Sequence, residues 1–222
     1  LFASWAVLGQ LGSMGLLVGE AIQPSAAQAD ITTIEGEGVG DTYKDKDEEG
    51  NEIIVEKTVG EVSGAGAFAI GLNATATTER SIAIGDTASA TTQSALAIGL
   101  DSSSSGINAI AIGVDAAASN LETIALGDSA KATGKQSLAV GSSSEATANY
   151  AVAIGCGAKA LNDAAIAIGK EAESSGQGIA IGRQSNSIAS YSIAIGDQAR
   201  TSGSAAIAIG CQSSATGEQA VA

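Results

Sequence analysis

Eleven times in this chain an alanine is followed by Ile, Leu or Val and then by glycine, and the spacing of those glycines constrains the fold more than anything else in the sequence. They are Gly71, Gly85, Gly99, Gly113, Gly127, Gly141, Gly155, Gly169, Gly182, Gly196 and Gly210, always 14 residues apart except for the 13 between Gly169 and Gly182. A fixed short period marks a repeat architecture, in which one unit cannot bury its own apolar face and stacked neighbours form a continuous core. A stack of near-identical coils also displays no obvious catalytic pocket, so the repeat bears on function as well as on fold.

Each unit can be read outward from its glycine. Three residues before it stand Phe68, Ile82, Leu96, Ile110 and their equivalents to Ile207; just before it stand Ile70 through Ile209; between them is alanine in all eleven units, from Ala69 to Ala208. Large, small, large is a period of two with β-branched residues dominating, which predicts a strand. The third and fifth positions after the glycine are small, as in Ala74 and Ala76 or Ser102 and Ser104, and their spacing predicts a second short strand with both on one face. The remaining Gly, Asn, Ser, Thr and charged residues are turn material.

Fourteen residues therefore predict two short strands and two tight turns. Stacked at about 4.8 Å per coil, eleven coils make a rod of roughly 50 Å. The repeated glycine suits a turn that requires positive φ. One packing has the large aliphatics filling the coil against the facing small column, with the Ala69-to-Ala208 column on an outer face at a subunit interface. The other has the aliphatic columns meeting at an oligomer axis, and the pattern alone fits both. At the 13-residue interval, Gly176-Gln-Gly178 has lost one turn position, which predicts a tightened turn with the strands kept in register.

Units such as Ser81-Ile-Ala-Ile-Gly85, Ser137-Leu-Ala-Val-Gly141 and Ser192-Ile-Ala-Ile-Gly196 resemble the head repeat of the trimeric autotransporter adhesins, the YadA-like head. The resemblance covers residues 62–222. It implies an all-β, left-handed parallel β-roll of 14-residue coils, homotrimeric, on the outer surface of a Gram-negative bacterium and exported by a signal peptide. It also implies attachment to host extracellular matrix, cell-surface receptors or other bacteria, the alternative being a purely structural spacer rod. The family's collagen-linked string carries Asn before Ser-Val-Ala-Ile-Gly. Here that position holds Arg80, Gln136 and Tyr191, and Asn108 is followed by Ala109, so the ligand stays open. The family's coiled-coil stalk and membrane β-barrel have no counterpart in the sequence, which suggests a head region truncated at its C-terminal end.

The composition narrows the function classes. With 29 glycines, one proline and 3% aromatics, a mixed globular core is not expected. A net charge of −14 argues against binding nucleic acid through phosphate contacts. No histidine is present, which removes the commonest general base and metal ligand. Parallel β-helix acyltransferases use hexapeptide periods and usually a catalytic histidine. Ice-binding solenoids want a Thr-x-Thr ladder, and calcium rolls want a nine-residue Gly-Asp-rich repeat. None of these patterns occurs, so no enzyme, cofactor or metal is assigned. Cys156 and Cys211 follow repeat glycines four coils apart, roughly 19 Å along the rod, too far for a disulfide whose Cα atoms must lie within about 7 Å. They are read as free thiols.

Two segments precede the rod. Residues 1–29 begin with an uncharged apolar stretch, Leu1 to Gly19, followed by Pro24 and the small-x-small pattern Ala27-Gln-Ala29, and are read as the remnant of a signal peptide. A retained membrane helix, with Gly15-x-x-x-Gly19 as a packing motif, is the runner-up. Residues 30–61 carry eleven acidic side chains against three lysines, and are read as an acidic segment or hairpin with Ile53-Ile-Val55 as a strand. Asp45, Asp47, Glu49, Gly50 and Glu56 match positions of an EF-hand loop, but Glu52 occupies the usual aliphatic position and no helices flank it. Gly36-x-Gly38-x-Gly40 follows no strand and lies among carboxylates, so a phosphate loop is rejected. The candidate receptor contacts are exposed turn residues: Glu79, Arg80, Asp101, Lys135, Tyr150, Arg183 and Tyr191.

Overall fold

Alternating large and small residues around each glycine fold, in the computed structural model, into two parallel ladders that climb one rod. The structure describes residues 41–46, 52–57 and 61–222. Three-residue strands from Phe68–Ile70 to Ile207–Ile209 form an 11-stranded sheet, and two-residue strands from Glu61–Val62 to Ser214–Ala215 form a 12-stranded sheet. Each strand pairs with the equivalent strand one repeat away: Ile110↔Ile124, Ala111↔Ala125 and Ile112↔Leu126. Identical residue types therefore stack into columns running the length of the rod. Ahead of it, Asp41–Lys46 pairs antiparallel with Glu52–Lys57 in a separate two-stranded sheet that includes Ile53 to Val55. The signal-peptide reading of residues 1–29, the glycine triplet at 36–40 and the centre of the EF-hand-like loop lie outside the described residues.

Two turns close each coil. In the first, Ala74 N donates to Gly71 O at 3.3 Å and the third residue, Asn73, is left-handed with φ 56°. In the second, Ser81 N donates to Thr78 O at 3.1 Å and Arg80 has φ 58°. Positive φ at the third position is the type II pattern. Turn amides not used within the coil donate to the preceding one, as in Thr87 N to Leu72 O at 2.7 Å. The repeat glycine is required twice over. Its φ is near +135°, as at Gly127, and a Cβ there would stand 2.7 Å from Gly141 C and O of the next coil.

The interior is lined by small side chains only. The alanine of each three-residue strand is fully buried from Ala83 to Ala208, as are the third and fifth positions after the glycine from Ala74 to Thr201, for example Ala116 and Ala118. A fourth interior column comes from the residue just before the three-residue strand: Ser81, Ala95, Ala109, Thr123, Ser137, Ala151, Ala165, Ser192 and Ala206. The expectation that the aliphatics fill the coil, with the Ala69-to-Ala208 column on an outer interface, is thus corrected. Ala and its flanking aliphatics must point to opposite faces of a strand, and a 14-residue coil with two tight turns is too narrow to take isoleucine inside. Hydroxyls can touch across it: Ser187 Oγ and Ser192 Oγ are 2.7 Å apart, and Thr201 Oγ1 lies 2.9 Å from Ser192 Oγ. Ser replaces Ala readily in these columns because its hydroxyl reaches a turn carbonyl, as Ser81 Oγ does to Thr78 O (2.7 Å) and Ser102 Oγ to Gly99 O (2.9 Å). That satisfies a buried donor.

At the 13-residue interval the strands hold register, with Ile166↔Ile179 and Glu173↔Asn186 paired. The tightened turn expected there is present. Gly176, Gln177 and Gly178 all lack the left-handed residue found in the neighbouring turns. Gly178 stands in the fourth interior column, where a Cβ would collide with the Ser187 hydroxyl. Ser174 Oγ bonds Gly178 O at 2.9 Å and ties the short turn to the opposite sheet.

Candidate interaction surfaces

Because alanine is inside, the outer face of the 11-stranded sheet carries both aliphatic columns, Phe68 to Ile207 and Ile70 to Ile209, none of them buried in the single chain. The face is roughly 50 Å long and two side-chain columns wide. Monomeric proteins rarely expose contiguous apolar patches beyond a few hundred Å². Leu72, Leu100 and Val114, exposed at the first turn, extend the apolar surface around one edge in the first coils.

The sequence-derived candidates divide between the two turn corners. Asp101 and Arg183 lie at the first turn, where Thr87 Oγ1 donates to Asp101 Oδ1 and Arg183 pairs with Asp197 at 2.8 Å. Glu79, Arg80, Lys135, Tyr150 and Tyr191 lie at the second. Glu79 and Arg80 pair with each other at 2.8 Å, and Lys135 N donates to Asn149 Oδ1 at 3.1 Å. These ion pairs are exposed and contribute little to stability. The seven residues therefore form no single site; they are spread along two edges of the rod.

A side-chain ladder that the sequence reading missed runs up the first-turn corner. Gln184 Nε2 donates to Glu171 Oε2 (2.8 Å), Gln198 Nε2 to Gln184 Oε1 (3.2 Å) and Gln212 Nε2 to Gln198 Oε1 (3.4 Å). The Gln184 hydrogen bond and then the Lys170 ammonium hold the Glu171 carboxyl below its ordinary value. Its signal was available in the sequence, since all four residues stand two after a repeat glycine. On the outer face of the two-residue strands, charges alternate in register: Lys131↔Glu145, Glu145↔Lys159 and Lys159↔Glu173.

Cys156 and Cys211 are free and exposed. Among the described residues no group of three His, Cys, Asp or Glu side chains gathers to hold a metal, and no helix is long and apolar enough to cross a membrane.

Geometry and repeat together define a parallel β-solenoid whose chemistry lies on its outer faces. The family model described as the YadA head domain repeat matches residues 63–172 in overlapping copies, then 174–199 and 202–222. The chain belongs to that family. It is also similar to the crystal structure of the collagen-binding domain of Yersinia adhesin YadA, at 27% identity, covering 69% of this chain and 67% of that one, with a TM-score of 0.33. No curated protein sequence matches the chain.

Proposed function

We propose that this chain is the head rod of a bacterial surface adhesin, assembled as a homotrimer through the outer face of its 11-stranded sheet and carried on the outer membrane of a Gram-negative cell. The observation that carries the reading is the inversion of the repeat: alanine fills the coil, and two unbroken aliphatic columns face outward. Burying such a face against copies of itself is the direct way to remove it from water, since each buried methylene contributes about 0.8 kcal/mol. Three chains rather than two is what the family implies. The rod is a binding surface rather than an enzyme, and its turns would present each contact in three copies, so that weak individual contacts add by avidity.

The partner class is host extracellular matrix or a cell-surface receptor, of which collagen is one member to test. The experiment combines light scattering on the purified chain with its adhesion to matrix-coated surfaces and cultured cells. Support requires a trimeric mass and adhesion that saturates. A trimer that adheres to nothing would favour a spacer rod, and a stable monomer would remove the assembly on which the reading rests.

A further inference from the structure

Two of the chain's three tyrosines stand in the rod, and both occupy the left-handed position of the second turn. Tyr150 is 56% exposed and Tyr191 68%. The turn amides stack Ala164 onto the Tyr150 turn (Ala164 N to Asn149 O, 2.8 Å) and Tyr191 onto the shortened one (Tyr191 N to Gln177 O, 3.0 Å). The two tyrosines are therefore three coils apart, about 14 Å along the rod. Between them the column holds one alanine methyl and then the turn that has lost a residue. Nowhere else among the described coils does a turn position drop out, and here the gap is bracketed by aromatic rings.

The neighbouring column supports the same reading. Six residues after the glycine, the chain places Thr or Ser in nine of eleven coils, from Thr77 to Thr216. The exceptions are Leu161 and Ile188, in the coils on either side of the short turn. Both are exposed, at 38% and 54%. Neither packs the core, so the substitutions have no evident structural task. Within these four turns the only charge is Asp163, whose Oδ1 already accepts from Asn149 N at 3.0 Å. The adjoining column alternates Glu145, Lys159 and Glu173, so each carboxylate there has an opposite charge beside it.

We infer that this notch, walled by Tyr150 and Tyr191 and flanked by Leu161 and Ile188, is the rod's receptor contact, and that it takes an extended, uncharged polypeptide segment with apolar residues at every second position. The spacing selects that occupant. An extended chain advances about 3.4 Å per residue and repeats its faces every two, so residues i and i+4 are about 14 Å apart on one face. They meet the two rings, while residue i+2 drops over Ala164 and the short turn. A polyproline helix, at about 3.1 Å per residue and three residues per turn, brings no same-face pair to that separation. The inference rests on the adhesin reading. It adds to that reading a place on the rod and a class of ligand.

The test uses the full trimeric chain and a fluorescent nine-residue peptide with leucine at its third, fifth and seventh positions among Ser and Thr, against a permuted peptide of the same composition. The alternating peptide should bind at least about tenfold tighter than the permuted one, with little change between low and high salt, as screening leaves apolar contacts intact. Tyr150→Ala with Tyr191→Ala should abolish the difference, as should one alanine inserted after Gln177 to restore the 14-residue turn. Both variants should keep wild-type circular dichroism and mass. Equal binding of the two peptides, or full binding by the double variant, overturns the inference. A trimer that adheres to cells undiminished by the tyrosine substitutions also overturns it, while leaving the adhesin reading standing. Selective peptide binding by a rod that adheres to nothing supports the notch and contradicts the adhesin reading.

Discussion

Replacing Gly127 by alanine tests how the coils stack, because the cost divides into two parts that the structure separates. Gly127 has φ +135°, a region essentially reserved for glycine, so any Cβ there costs about 1–3 kcal/mol in backbone strain. The same Cβ would lie 2.7 Å from Gly141 C and O, about 0.8 Å short of ordinary carbon contact at roughly 3.5 Å. Both atoms are backbone, so no side chain can swing aside. The two coils must part locally, stretching the bonds Gly141 N to Leu126 O (2.7 Å) and Ser143 N to Asp128 O (2.8 Å). At about 1 kcal/mol each, their loss adds about 2 kcal/mol. Gly210 is the control: its φ is +130°, but nothing stands within 4 Å of its Cβ direction. Gly127→Ala should therefore destabilise by about 2 kcal/mol more than Gly210→Ala in urea unfolding followed by circular dichroism. Amide exchange should place the loss in the coils ending at Gly127 and Gly141. Equal costs for the two variants would refute close glycine stacking as the constraint.

Enlarging the interior should fail where enlarging the surface does not: Ala125→Leu, in a fully buried column, should cost at least about 1–3 kcal/mol from overpacking, while Ser142→Leu at an exposed turn should stay within about 0.5 kcal/mol. The Glu171 carboxyl is depressed by Gln184 and Lys170, so its contribution to stability is present above the ordinary Glu value and is lost as pH falls through the lowered folded value. Gln184→Ala should raise the Glu171 titration midpoint, read by nuclear magnetic resonance, and an unmoved midpoint would dismiss the amide ladder as its cause. Both cysteines should react with a thiol reagent in the folded, unreduced protein, giving two equivalents per chain; reactivity that appears only after denaturation would contradict their exposure.

The period, the two strands, the two turns and the positive-φ glycine were all legible in the sequence, because each reflects a local steric demand repeated eleven times. Which face of the strand turns inward was not. The alternation Ile-Ala-Ile at 82–84 says only that alanine opposes its neighbours, and the general preference for large apolar residues inside favours the wrong choice. The deciding quantity is the width of the coil, set jointly by both turns and both sheets, so it appears only when the chain closes. The fourth interior column was missed for the same reason, since Ser81, Thr123 and Ser137 look like turn residues until their burial is known. The candidate contacts were found as exposed turn residues, but their division between two corners needed the fold. So did the placement of Tyr150 and Tyr191 on one edge, three coils apart on either side of a shortened turn, because residues 41 apart in sequence line up only through stacking.

Sedimentation of the full chain beside two variants tests the inverted repeat most directly. The double substitution Ile124→Ser and Ile166→Ser changes only the outward face, and Thr133→Ala with Thr147→Ala changes a half-buried and an exposed position away from that face as a control. The wild-type chain and the threonine variant should sediment as trimers, while the serine variant should shift to monomer at concentrations at least about tenfold higher than wild type does, with its strand signal retained. A serine variant that stays as firmly trimeric as wild type, or a wild-type rod that is monomeric and folded, would contradict an interface built on the aliphatic columns.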